Sequence, residues 1–126
     1  MTLEDRTVLV TGGAGFIGHH LVAALVPDNR VRVLDHSIAA NEDRLPRSVE
    51  RIDGDIRDES TLAAAMDGVD VVFHQAAMVS VSESVADPRA CNEINVSATV
   101  SLLERARRAD ARVVTASSAA IYGDPD

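Results

Sequence analysis

The sequence predicts an α/β fold, a doubly wound parallel sheet with strand order 3-2-1-4-5. Three observations carry this reading. Short apolar runs alternate with longer stretches of helical period along the chain, which is the βαβ pattern. The first run, Thr7-Val-Leu-Val-Thr11, is apolar between its ends, as a strand covered on both faces must be. It leads directly into a glycine-rich turn that opens a helix. Right-handed crossovers between successive parallel strands then leave 3-2-1-4-5 as the simplest order.

Each element has its own local reason. From Gly15 to Leu25, Phe16, Ile17, Leu21, Val22 and Leu25 recur at helical spacing, and Pro27-Asp28-Asn29 stops the helix. Val31 to Leu34 is the second strand, and the polar stretch Ile38 to Arg47, interrupted by Pro46, reads as a loop or frayed helix. Val49 to Asp53 supplies the third strand. Asp58 is an N-cap for a helix reaching Met66, which Gly68 ends. Val69 to His74 is the fourth strand, followed by a loop to Ser84. Pro88 suits the first turn of a long helix whose apolar face is Ile94, Val96, Ala98, Val100, Leu102, Leu103 and Ala106. Arg112 to Ala116 is the fifth strand. Folds of this kind continue with further helices and strands, so residues 1–126 are expected to form one domain truncated after its fifth strand.

Composition narrows the functional classes. With 126 residues, 46% apolar content, 25% charged content and one Cys, the chain fits a single globular domain and neither a disordered nor a disulfide-stapled one. A formal charge of −8 and an aromatic set limited to Phe16, Phe73 and Tyr122 exclude a nucleic-acid surface, which needs basic residues beside stacking rings. All 12 basic residues are Arg, so a mechanism that needs a lysine cannot be completed by these residues. No apolar run reaches the ~18 residues of a membrane span. The acidic N-terminus has no signal-peptide pattern, and lone Cys91 suits a reducing compartment, so a cytoplasmic location is expected. No Cys/His/Asp cluster has metal-ligand spacing, since His19 and His20 are adjacent on one helix and cannot both face one ion.

The turn Thr11-Gly-Gly-Ala-Gly-Phe-Ile-Gly18 satisfies both G-x-x-G-x-x-G (Gly12, Gly15, Gly18) and G-x-G-x-x-G (Gly13, Gly15, Gly18). Glycines let the backbone turn tightly and approach a pyrophosphate, while the helix N-terminus presents unpaired N–H groups to the anion. Asp35 ends the second strand 20 residues after Gly15, where a carboxylate can accept hydrogen bonds from an adenosine ribose. Glycine loop, strand, helix and acid together point to a dinucleotide, and the acid points to NAD in preference to NADP, whose 2′-phosphate it would repel.

From Thr7 to Gly123 the sequence resembles the extended short-chain dehydrogenase/reductases, specifically the NAD-dependent sugar-nucleotide epimerase/dehydratase family. The resemblance implies a Rossmann-type domain with NAD held by Gly12, Gly15, Phe16, Ile17 and Gly18. In Gly54-Asp-Ile-Arg-Asp58 it gives Asp55 and Ile56 to the adenine. In Val72-Phe-His-Gln-Ala-Ala77 it passes Gln75, Ala76 and Ala77 beneath the pyrophosphate and nicotinamide ribose. Asn95-Val-Ser-Ala-Thr99 resembles an N-V-x-G-T segment that makes Asn95 a cofactor contact, with Ala98 in place of the glycine.

Ser117-Ser-Ala-Ala-Ile-Tyr-Gly123 resembles the segment whose second Ser, here Ser118, meets the reacting sugar oxygen. Dehydratases of the family place an acid beside that Ser; Ala119 and Ala120 leave the epimerase pattern. The family's base is the Tyr of a Tyr-x-x-x-Lys pair. The residue four after Tyr122 is Asp126, so Tyr122 is not that base and the 126 residues alone are expected to be inactive. The implied enzyme is an epimerase acting on a nucleotide sugar, a UDP-hexose or UDP-N-acetylhexosamine, by transient hydride transfer to NAD, with homodimers formed by the full-length protein. Two alternatives stand beside it: a non-catalytic dinucleotide-binding module, and another dehydrogenase/reductase of the same family.

Overall fold

A computed structural model describes residues 2–124; Met1, Pro125 and Asp126, including the position four residues after Tyr122, lie outside the described residues. Five strands, β1 (Thr7–Thr11), β2 (Arg30–Asp35), β3 (Glu50–Asp53), β4 (Val71–His74) and β5 (Arg112–Thr115), form one parallel sheet in the order β3-β2-β1-β4-β5. This is the order the sequence predicts. Side chains alternate between the two faces with the strand period of two. Leu9, Leu34 and Val72 face one way, against Leu62, Ala65 and Met66 of helix α2 (Glu59–Met66) and Ala98, Leu102 and Ala106 of the long helix. Val8, Val10, Val31 and Val33 face the other way, with Val22 of helix α1 (Phe16–Leu25).

The apolar periods of both helices read too broadly. Phe16 and Ile17 belong to no core: they stand 77% and 60% exposed at the start of α1. On the long helix only Ala98, Leu102 and Ala106 are buried, while Val96, Val100 and Leu103 face outward. A period marks which residues share a stripe, and it says nothing of how wide a stripe the neighbouring sheet covers.

Segment 38–47 contains a 3-10 turn (Ala39–Arg44) between buried Ile38 and Leu45. The stretch expected to be a loop after β4 instead holds a short helix, α3 (Val81–Ala86). Its N-cap is Ser80, whose Oγ accepts from the Glu83 N–H, so Ser80-Val-Ser-Glu83 was a legible capping signal. The long helix spans 88–109 in three parts: α4 (Pro88–Asn92), a π-helical stretch (Glu93–Ser97) and α5 (Ala98–Ala109). Cys91 is half-buried there and accepts a long hydrogen bond from Asn95. Among the described residues no helix is long and apolar enough to cross a membrane.

Candidate cofactor site

A cleft of about 630 Å³ opens at the C-terminal ends of β1, β2 and β4, where doubly wound sheets place their ligands. It brings together Gly12, Gly15, Asp35, Asp55, Ile56, Gln75, Ala76 and Ala77 of the residues singled out from sequence.

The glycine loop is set by steric necessity. Gly12 has φ +68°, and a Cβ there would lie 2.8 Å from the Ala76 backbone nitrogen, so the loop and the segment after β4 touch backbone to backbone. Gly18 works from behind. A side chain on it would meet Gly13 Cα at 2.7 Å and the Gly12 carbonyl closer still, so Gly18 is a packing residue of the loop and does not line the cleft. Gly15 is different: a Cβ would meet only Gly12 O, at 3.2 Å, with open space beyond. That space is where a pyrophosphate would approach the N–H groups of α1, which have no intrahelical partner. The side chains of Phe16 and Ile17 lie outside the cleft, so any part they take is through these backbone groups.

Asp35 is buried at the end of β2. Its Oδ2 accepts the Ala14 N–H at 3.0 Å, and its Oδ1 accepts the Ser37 N–H at 2.9 Å and the Ser37 hydroxyl at 2.7 Å. A carboxylate offers about four acceptor directions. Three are filled from within the protein, and the one left on Oδ2 is available to a single ribose hydroxyl. Asp55 is held by Arg57, whose Nη2 lies 2.6 Å from Oδ2 and whose Nε lies 3.0 Å from Oδ1. The guanidinium's hydrogen bonds keep the Asp55 carboxyl below its ordinary value. Arg57, part of the cleft wall, had no role assigned from sequence; its signal is the i, i+2 spacing to Asp55, which also lets its backbone N–H donate to that carboxylate.

Asn95 does not line the cleft. Its Oδ1 accepts the Met78 N–H at 2.8 Å and its Nδ2 donates to the Met78 carbonyl at 2.9 Å, so it grips the cleft wall. Its neighbour Ile94 reaches the cleft directly. Ser118 is exposed outside the cleft, where its hydroxyl accepts the Ala120 N–H at 3.1 Å and caps a 3-10 turn (Ala119–Tyr122).

Fold and cleft together define a Rossmann-type α/β domain with a cleft at its glycine loop. The sequence matches the NAD dependent epimerase/dehydratase family over residues 8–126, and the chain belongs to that family. It is 41% identical over 123 residues to a putative UDP-glucose 4-epimerase of Methanocaldococcus jannaschii, covering 94% of this chain and 40% of that protein. Among solved structures it resembles a UDP-N-acetylglucosamine 4-epimerase from Methanobrevibacter ruminantium in complex with UDP-N-acetylmuramic acid, with TM-score 0.85, 35% identity and coverage of 98% and 41% of the two chains. The Thermus thermophilus UDP-glucose 4-epimerase in complex with NAD gives TM-score 0.82 at 37% identity, with coverage of 95% and 40%. The chain thus spans about two-fifths of the length of these relatives.

Proposed function

We propose that residues 1–126 are the NAD-binding domain of a cytoplasmic sugar-nucleotide 4-epimerase taking a UDP-hexose or UDP-N-acetylhexosamine. The observation that carries the reading is the convergence of Gly12, Gly15, Asp35 and Asp55 on one cleft, the residue types that a dinucleotide's pyrophosphate, ribose and adenine call for. The site fits the group: there is open space beyond Gly15, an acceptor direction free on Asp35, and small Ala76 and Ala77 along the floor. When bound, NAD would accept a hydride from the sugar C4 and return it. The chain's own residues bind and orient. The loop amides face the pyrophosphate, Asp35 accepts a ribose hydroxyl, and Asp55 with Ile56 borders the adenine.

Ser118 follows β5 at the same end of the sheet, and its hydroxyl can donate to the reacting oxygen while still accepting from Ala120. Ala119 and Ala120 offer no carboxylate for dehydration, which favours epimerisation. The outward stripe of Val96, Val100 and Leu103 supports pairing of two copies through the long helix.

Titration of NAD into the chain, followed by calorimetry, tests the reading: saturable binding of one dinucleotide is expected, and absence of binding would overturn it. In the longer protein, Ser118→Ala is expected to lower turnover about 10-fold to 1000-fold with little change in NAD affinity, the range for one positioned donor.

A further inference from the structure

The floor of the cleft, residues 75–78, has no regular secondary structure, so beyond the Gln75 N–H to Thr11 carbonyl bond at 3.1 Å its backbone groups rely on side chains. The Ala76 N–H reaches Thr11 Oγ1 at 3.2 Å, the Gln75 N–H is shared between Thr11 Oγ1 at 3.2 Å and the Thr11 carbonyl at 3.1 Å, and Met78 is gripped at both backbone groups by Asn95. Behind the floor lies His74, buried and bonded at both ring nitrogens. Its Nδ1 is 2.7 Å from Thr11 Oγ1, and its Nε2 is 3.0 Å from Thr99 Oγ1, which in turn donates to the Asn95 carbonyl at 2.9 Å.

The protons in this chain can be assigned by counting. A hydroxyl has one proton and two lone pairs. The Thr99 proton goes to the Asn95 carbonyl, so Thr99 must accept from His74 Nε2–H. That proton leaves a neutral ring with Nδ1 bare, and Thr11 Oγ1, which already accepts the Ala76 N–H and a share of the Gln75 N–H, gives its own proton to Nδ1. The Thr99 end fixes the proton on Nε2, and the Thr11 end agrees with the same neutral imidazole. An imidazolium, or the Nδ1–H tautomer, would point a third N–H at Thr11 Oγ1 and leave that hydroxyl's own proton without its acceptor. Burial works in the same direction, pushing the His74 pKa down.

We infer that His74 is a positioning residue for the cofactor cleft: as the Nε2–H tautomer it orients the Thr11 hydroxyl, and through it the Gln75 and Ala76 amides that set the floor against Gly12. That the cleft holds NAD rests on the function proposed above; the proton order does not. The floor has little room to move, since Ala76 already stands in backbone contact range of Gly12. Thr99, which does not line the cleft, is the far end of the device.

The test reads the His74 imidazole nitrogens and the Gln75 and Ala76 amides by nitrogen NMR without ligand, then NAD affinity, in the wild type, Thr99→Val and Thr99→Ser. The wild type is expected to show Nε2 protonated and Nδ1 bare. Thr99→Val, which removes the acceptor without touching the cleft, should populate the Nδ1–H form, shift both amide signals and weaken NAD about 10-fold, the scale for stranding one buried polar group. Thr99→Ser should restore all three. An Nδ1–H or doubly protonated ring in the wild type, or unmoved amides in Thr99→Val, overturns the inference. Expected spectra without any NAD binding by the wild type would overturn the functional reading alone.

Discussion

Arg57 forks its guanidinium onto the carboxylate of Asp55, two residues back, and reaches Glu93 of the long helix at 3.5 Å from a third nitrogen. One arginine therefore ties the segment after β3 to the long helix.

The first prediction concerns that pair. A native carboxylate held below its unfolded value of 3.8 contributes stability that is present above that value and is lost as the pH falls through the native one. Both side chains are about two-fifths exposed, at 40% and 41%, so solvent screens the pair. Arg57→Ala is expected to raise the Asp55 titration, followed by carboxyl-carbon NMR, while changing unfolding free energy at neutral pH by less than about 1 kcal/mol. A larger stability loss, with Asp55 titrating as before, would show that Arg57 acts mainly through Glu93.

Two glycines of one motif should separate by phenotype. Gly18→Ala drives a methyl into the backbone of Gly12 and Gly13 and is expected to cost about 1–3 kcal/mol or more of folding stability, as overpacking does. Gly15→Ala meets only Gly12 O and should leave urea unfolding close to wild type while weakening NAD, because its methyl occupies the open side. Equal stability losses in the two variants would mean that Gly15 is a packing glycine too.

Asp35 decides between dinucleotides. Its remaining acceptor direction suits a ribose hydroxyl, and its charge opposes a 2′-phosphate. The wild type is expected to bind NAD more tightly than NADP, and Asp35→Ala to weaken NAD while narrowing the difference. The same substitution strands the Ala14 N–H, so a stability loss of about 1–3 kcal/mol should accompany it. Calorimetric titration with both dinucleotides checks the first point, and wild-type NADP binding as tight as NAD would mean the free acceptor direction is not offered to the ribose.

For His74 the sign runs toward acid lability. A histidine whose native pKa lies below its unfolded value of 6.5 is neutral in both states at higher pH, so its share of stability is complete there. As the pH drops below that value the unfolded chain takes up the proton first, and stability declines down to the native pKa. Denaturant midpoints between pH 7.5 and pH 5.5 should fall more in the wild type than in His74→Gln, which cannot titrate. Parallel curves would locate the acid sensitivity elsewhere.

Strand order and most of the cleft were legible because each rests on local chemistry. Val8 to Val10 cannot face water on either side, and a carboxylate twenty residues past a glycine loop has few other places to be. What escaped depends on partners distant in sequence. Asn95 resembled a cofactor contact, yet its amide is spent on Met78, 17 residues away. Phe16 and Ile17 read as core by period, and only the placement of α1 shows them to solvent. Arg57 carried a local signal that was visible in the sequence. Its ion pair with Glu93, at the start of the π-helical stretch, joins residues far apart in sequence and is written in no short motif.

That stretch also constrains length. A π turn inserts an extra residue into an α-helix and rotates everything beyond it by roughly 100°. Upstream of the step Asp87 lines the cleft, downstream Ala98, Leu102 and Ala106 reach the sheet, and Ile94 within the step borders both. Removing one residue between 93 and 97 would give a more regular helix, but only one of those two surfaces could then be met. Val96 and Ser97 point outward and can be exchanged for other side chains, yet the number of positions between Asp87 and Ala98 is fixed. The helix is thus permissive toward substitution and intolerant of insertion or deletion over the same few residues.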